Sequence, residues 1–159
     1  MIFLKKYYVN TTPEVDVLSL IHDIRYAIRD SKATEGLVTV TVPAPAAGVV
    51  ILEALPELME QLKTALTIFP GEGIEALTRR KEAVAVGPRI KGAMLGRSLT
   101  LPLTHGELVL APREEVMLVD FETIVQRREF VVQVMSEAPP EAKPAAGAPG
   151  RRPPPGGRG

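Results

Sequence analysis

Cysteine is absent from the 159 residues, which excludes disulfides, cysteine zinc sites and thiol nucleophiles and agrees with a reducing compartment. Tryptophan is absent as well. Net charge is missing too, because 19 Lys and Arg balance 19 Asp and Glu. The balance hides a split: residues 138–159 carry Lys143, Arg151, Arg152 and Arg158 against Glu141, a net of +3 that leaves −3 on the rest. A mildly acidic body lacks the basic face of a nucleic-acid-binding domain, so nucleic acid is not an expected partner. No apolar run approaches the ~18 residues of a membrane span. The opening Ile2–Leu4 is broken at once by Lys5 and Lys6, unlike a secretory leader. These absences predict a soluble, cytoplasmic protein that does not engage membranes.

What is present suits one domain over 1–137 followed by a tail. A body of about 135 residues can bury a single core roughly two-thirds shielded from water. Residues 2–9 mix β-branched, aromatic and basic residues and predict a strand. Thr11, Thr12, Pro13 and Glu14 offer helix-start chemistry, and Val17, Ile21, Ile24 and Ile28 follow at spacings of four, three and four. That stripe predicts a helix over roughly 14–31. His22 lies beside the stripe with no carboxylate or second histidine at helical spacing, which reads as a solvated side chain.

Strict alternation over Leu37–Val42 predicts a strand with Val38, Val40 and Val42 on one face. Pro43 to Gly48 then reads as a loop, Val49–Leu52 as a short buried strand, and Pro56 to about Ile68 as a helix whose stripe includes Leu58, Leu62 and Phe69. Residues 74–86 are charged and aperiodic, and a short helix is expected there. Arg89 to Gly96 reads as a glycine-bracketed basic loop. Leu99, Leu101 and Leu103 alternate in the next strand, with Pro102 marking an edge or bulge. Thr104-His105-Gly106 turns into Glu107–Leu110, and two further strands are expected over 116–121 and 129–135. The pattern is α+β and not a βαβ repeat. Seven prolines and five glycines among residues 138–159 leave that tail nothing to offset its ordering entropy, so it is expected to be disordered.

The run Ile90-Lys91, then Leu95-Gly96-x-Ser98-Leu99-Thr100-x-Pro102 and Gly106-x-Leu108, resembles the signature of the YjbQ-like family, whose members are described as secondary thiamine-phosphate synthases. The resemblance extends over approximately 1–137. It implies an α+β sandwich with two main helices, homotrimers whose sheets pack around a threefold axis, and a polar site near the subunit boundary able to hold a metal or an anion.

Departures from the family pattern fall where its chemistry would sit. A His-Thr-Ser-Ala-Ser type run is replaced by Ala44-Pro45-Ala46-Ala47-Gly48, and Asn-Glu by Leu52-Glu53. The family's Ala-His-(Ile/Leu)-Lys becomes Pro88-Arg89-Ile90-Lys91, its Gly-Thr-Trp-Gln-Gly becomes Ala111 to Glu115, and its glutamate near the penultimate strand's end becomes Asp120. Two lost histidines remove the best metal ligands and the best bases near neutral pH. No cofactor, metal or catalytic residue is therefore expected.

Three readings follow. The first is a non-catalytic trimeric scaffold or partner-binding protein. In the second, Arg89, Lys91 and Arg97, with Glu53 and Asp120 near them, form a site for a small anion or phosphorylated metabolite, since guanidinium suits bidentate phosphate contact. In the third, Glu53 and Asp120 retain family-like catalysis as an acid-base or Mg²⁺-binding pair, which would require their close placement.

Overall fold

A computed structural model of the protein describes residues 1–68 and 71–137. The expected disorder of 138–159 and the place of Phe69 on a helix stripe lie outside these residues. The described residues form an α+β fold, built from a five-stranded sheet, a three-stranded sheet, a small hairpin and three helices.

The five-stranded sheet runs in the order β1 (Ile2–Asn10), β10 (Arg127–Met135), β3 (Gly36–Thr41), β7 (Ser98–Thr104), β8 (Glu107–Leu108). The alternation in residues 37–42 does what it predicts, putting Val38 and Val40 in the core and Leu37 outside. Phe130, Val132 and Val134 do the same from β10. Pro102 is tolerated because beyond β7 lies only the two-residue β8, so little ladder is lost. His105 and Gly106 take φ of 51° and 75°, the paired positive angles of a tight hairpin turn.

The three-stranded sheet has β9 (Glu114–Asp120) between β2 (Asp16–Ser19) and β4 (Ala47–Glu53). One of its faces meets the large sheet through Val49, Val116 and Leu118, alongside Ile24, Ala27 and Ile28 of α1 (Ile21–Ser31). Its other face, with Val17, Met117, Val119 and Phe121, receives Leu66, Met59 and Leu62 of α2 (Pro56–Leu66). Burial on both faces explains why Val116–Val119 reads as an unbroken apolar run. Each such side chain contributes about 1.5–3 kcal/mol.

Three expectations are corrected. The first helix begins at Ile21, not near residue 14, because Asp16 accepts the Thr12 N–H at 2.6 Å and its hydroxyl at 2.9 Å, closing a turn over Pro13. Val17 and Leu18 then pair with Val119 and Leu118, so tertiary pairing overrides a helical spacing. Residues 74–86 form no short helix but a hairpin, β5 (Glu75–Leu77) with β6 (Ala83–Ala85), whose turn puts Lys81 at φ 61°.

The basic loop is also corrected: Arg89 lies inside α3 (Val86–Leu95). Pro88 sits in the first turn, where its missing N–H costs nothing. Gly92 is a contact surface and not a hinge. A Cβ there would lie 2.7 Å from the Pro45 carbonyl oxygen and 3.0 Å from that of Ala47, so glycine lets α3 rest on the backbone entering β4. Among the described residues no helix is long and apolar enough to cross a membrane.

Candidate functional site

Asp120 ends β9 and is 1% exposed. Its Oδ2 accepts the Arg128 Nε–H at 2.6 Å and its Oδ1 accepts the Glu122 N–H at 3.0 Å. Arg128 also donates from Nη2 to Glu122 Oε2 at 2.9 Å, and the Gln126 amide reaches the same oxygen at 2.8 Å. Burial alone would lower the guanidinium's pKa, but the hydrogen bonds to Asp120 and Glu122 outweigh it and raise it.

Lys91 is nearly as enclosed. Its ammonium is paired with Glu72 and stands 5.9 Å from the centre of the Phe121 ring. Glu72 itself is largely exposed, beside Gly71, which packs on Gly87 and Ile90 of α3. Arg89 donates to the Ala85 carbonyl at 3.0 Å, and its charge helps hold the Glu122 carboxyl down.

Of the residues the sequence singled out, Asp120, Lys91 and Arg89 therefore gather around Phe121 and Glu122. Glu53 does not join them. In the β4–β9 ladder Ala47 faces Asp120 and Glu53 faces Glu114, so the two carboxylates lie six residues apart, about 20 Å. Glu53 instead accepts a hydrogen bond from Arg113 at 3.1 Å. Arg97 is exposed on the link to β7, where its carbonyl accepts the Val42 N–H at 2.8 Å. His22 is exposed on α1. Among the described residues no three of His, Asp and Glu converge as a metal site.

Arg128, Glu122 and Glu72 escaped the sequence reading. For Arg128 a signal existed: it shares the inward alternation of Phe130, Val132 and Val134, and an inward cation needs a buried carboxylate. The aspartate ending an apolar run at Asp120 was that partner. For Glu72 no local pattern pointed to Lys91.

The Glu122 carboxyl is held below its ordinary 4.5 first by the Gln126 amide and then by Arg128. Glu35 is depressed likewise by the His105 backbone N–H. A depressed carboxyl stabilises the fold above its unfolded pKa and loses that contribution as pH falls through the folded value. Melting temperature should therefore drop as pH is taken below about 4.5, and Glu122→Gln should flatten part of that slope. Thermal melts of both proteins across this range check it; identical slopes would refute the Glu122 contribution.

Residues 5–137 match the family described as UPF0047 protein YjbQ-like. Among solved structures, a YbjQ-like protein of unknown function from Sulfolobus solfataricus P2 superposes with TM-score 0.76 at 19% identity, over 84% of this chain and 96% of its own. A hypothetical protein from Aeropyrum pernix K1 gives 0.73 at 21% identity, over 84% and 98%. A conserved hypothetical protein from Thermus thermophilus gives 0.68 at 24% identity, over 82% and 99%. No curated protein matches. The three structures share the fold.

Proposed function

The chain belongs to the YjbQ-like family UPF0047, and from that premise we propose that it acts as an assembly protein, three copies joining through the open face of the five-stranded sheet. The observation that carries this reading is an apolar row across that face. Ile2 faces Met135, Met135 faces Leu37 and Leu37 faces Pro102, one residue from each of four adjacent strands. Ile2 is 66% exposed, Leu37 46% and Met135 48%, with Leu4 and Tyr8 also exposed on β1. Such a contiguous patch marks an interaction surface.

The polar part of the face is prepared for burial. Thr39 and Thr100 hydrogen-bond to each other at 2.9 Å, as do Thr41 and Ser98. Hydroxyls already paired lose little when a partner displaces their water. The polar cluster at Asp120 supports the same reading, because Asp120 already holds a partner on each oxygen and Lys91 already has a counter-ion. Glu53 stands too far away in the same chain to act with Asp120.

Light scattering coupled to size exclusion should give three times the 17.2 kDa chain mass. Leu37→Lys combined with Met135→Lys should yield a folded monomer, since both side chains point away from the core. A monomeric natural protein, or an unchanged trimer in the double variant, would refute the proposal.

A further inference from the structure

A second feature lies away from both surfaces. A cleft of about 780 Å³ opens between α1, the β7–β8 turn and the connection from β8 to β9. Its floor is apolar, with Ile21 and Ile28 buried and Leu108 and Leu110 half-buried. Arg25, Arg29 and Lys32 line one wall from α1, and Arg113 faces them from the connection. Arg25 and Arg29, four residues apart, share one side of α1, and Lys32 follows at its C-cap.

Three carboxylates, Glu107, Glu114 and Glu115, also line the cleft, and among the described residues none of them is ion-paired with its α1 cations. Glu114 accepts the Ala111 N–H at 2.7 Å, Glu115 accepts the Ser19 hydroxyl at 3.4 Å, and Arg113 is held by Glu53. Among the described residues, Arg25, Arg29 and Lys32 have no ion pair; Arg29 only lies against the Tyr26 ring, 5.4 Å away.

Among the described residues the strand edge at the cleft is open as well. β8 ends the sheet, and the two-residue turn makes Thr104 and Glu107 the pair that exchanges hydrogen bonds. Leu108, one residue on, therefore directs its N–H and C=O away from β7, at a strand that also lines the cleft. An extended chain laid there can pair with this edge, set alternate side chains on the apolar floor and present the others to α1. Its i and i+2 side chains repeat every ~6.6 Å, close to the ~6 Å between Arg25 and Arg29 on one helix turn.

We propose that this cleft takes an extended segment of a partner protein that alternates acidic and apolar residues, added as a strand to the free edge of β8. Charge selects against the chain's own residues 138–159, which carry a net of +3.

Fluorescence anisotropy on the full-length protein, with a labelled Glu-Leu-Glu-Leu-Glu-Leu peptide as probe, tests this. Binding is expected to weaken at least about tenfold in Arg25→Glu/Arg29→Glu, whose altered side chains are exposed, and on raising salt from about 50 to about 300 mM. Circular dichroism of the variant confirms that it folds. A Lys-Leu counterpart should not bind, and N-methylation of alternate probe amides should weaken binding by a similar factor. No binding of the acidic probe, equal binding by the charge-reversed variant, or equal binding of the lysine probe overturns the proposal. Equal binding of the N-methylated probe overturns the strand addition, and preference for a single-stranded oligonucleotide overturns the peptide.

Discussion

Gly36→Ala should destabilise the protein by about 3 kcal/mol or more, the sum of a steric clash and an unfavourable backbone angle. The new Cβ would fall 2.1 Å from the Met135 carbonyl oxygen and 3.1 Å from the Ser136 Cα, atoms fixed by the β3–β10 ladder. Gly36 also holds φ at 153°, where an L side chain is strained. Relief requires the start of β3 to part from the end of β10. Gly106 supplies the control: its φ is 75°, but a Cβ added there would meet nothing within 4 Å among the described residues. Gly106→Ala should lose only about 1–2 kcal/mol from left-handed backbone, as its neighbour His105 already tolerates at φ 51°. Urea unfolding of the two variants beside the natural protein decides this; equal midpoints for the two would remove the role given to the Met135 carbonyl.

Arg128→Ala is expected to lose about 3 kcal/mol at neutral pH, because it strands a buried carboxylate. Asp120 is 1% exposed and would keep only the Glu122 N–H, while Glu122 would keep only the Gln126 amide. Arg128 also helps hold the Glu122 carboxyl below its ordinary range, a contribution lost as that carboxyl protonates, so the deficit should shrink as pH falls. Asp120→Asn combined with Arg128→Met removes both charges and should recover part of the loss, which makes a double-mutant cycle informative. Melts of the four proteins at neutral and acidic pH supply the measurement. An unaltered melting temperature for Arg128→Ala would mean that the pair does not hold the β9–β10 connection.

Much of the framework was legible because burial writes itself into period. The valines of 37–42 alternate since β3 has one core face, and Val116–Val119 does not alternate since β9 is covered twice. Illegible were elements decided by distant partners. Val17, four residues before Ile21, fits a helix stripe equally well, and only pairing with β9 makes it a strand. Gly92 looked like a loop residue because local chemistry cannot reveal that β4 lies a van der Waals contact away.

The polar cluster was half legible for the same reason. Asp120, Lys91 and Arg89 stood in a recognisable order along the chain, but register, not order, separates Glu53 from Asp120. Arg25 and Arg29 stand four residues apart, a spacing the chain itself carries. That they border a cleft with a free strand edge depends on how the β7–β8 hairpin folds back beside the helix.

The position of β10 in the large sheet sets the timetable of folding. It is the final strand described, yet it lies between β1 and β3, bonded to the first along nine residues and to the second along five. During synthesis β1 and β3 leave the ribosome before the strand that joins them, and the edges that β10 fills stay open until it has emerged, although β3 can already pair with β7. Closure of so distant a pairing is slow relative to local structure, and nascent chains are exposed to aggregation through that interval. The hairpin of β7 with β8 and α1 can form early. The central seam of the sheet is necessarily the last to close.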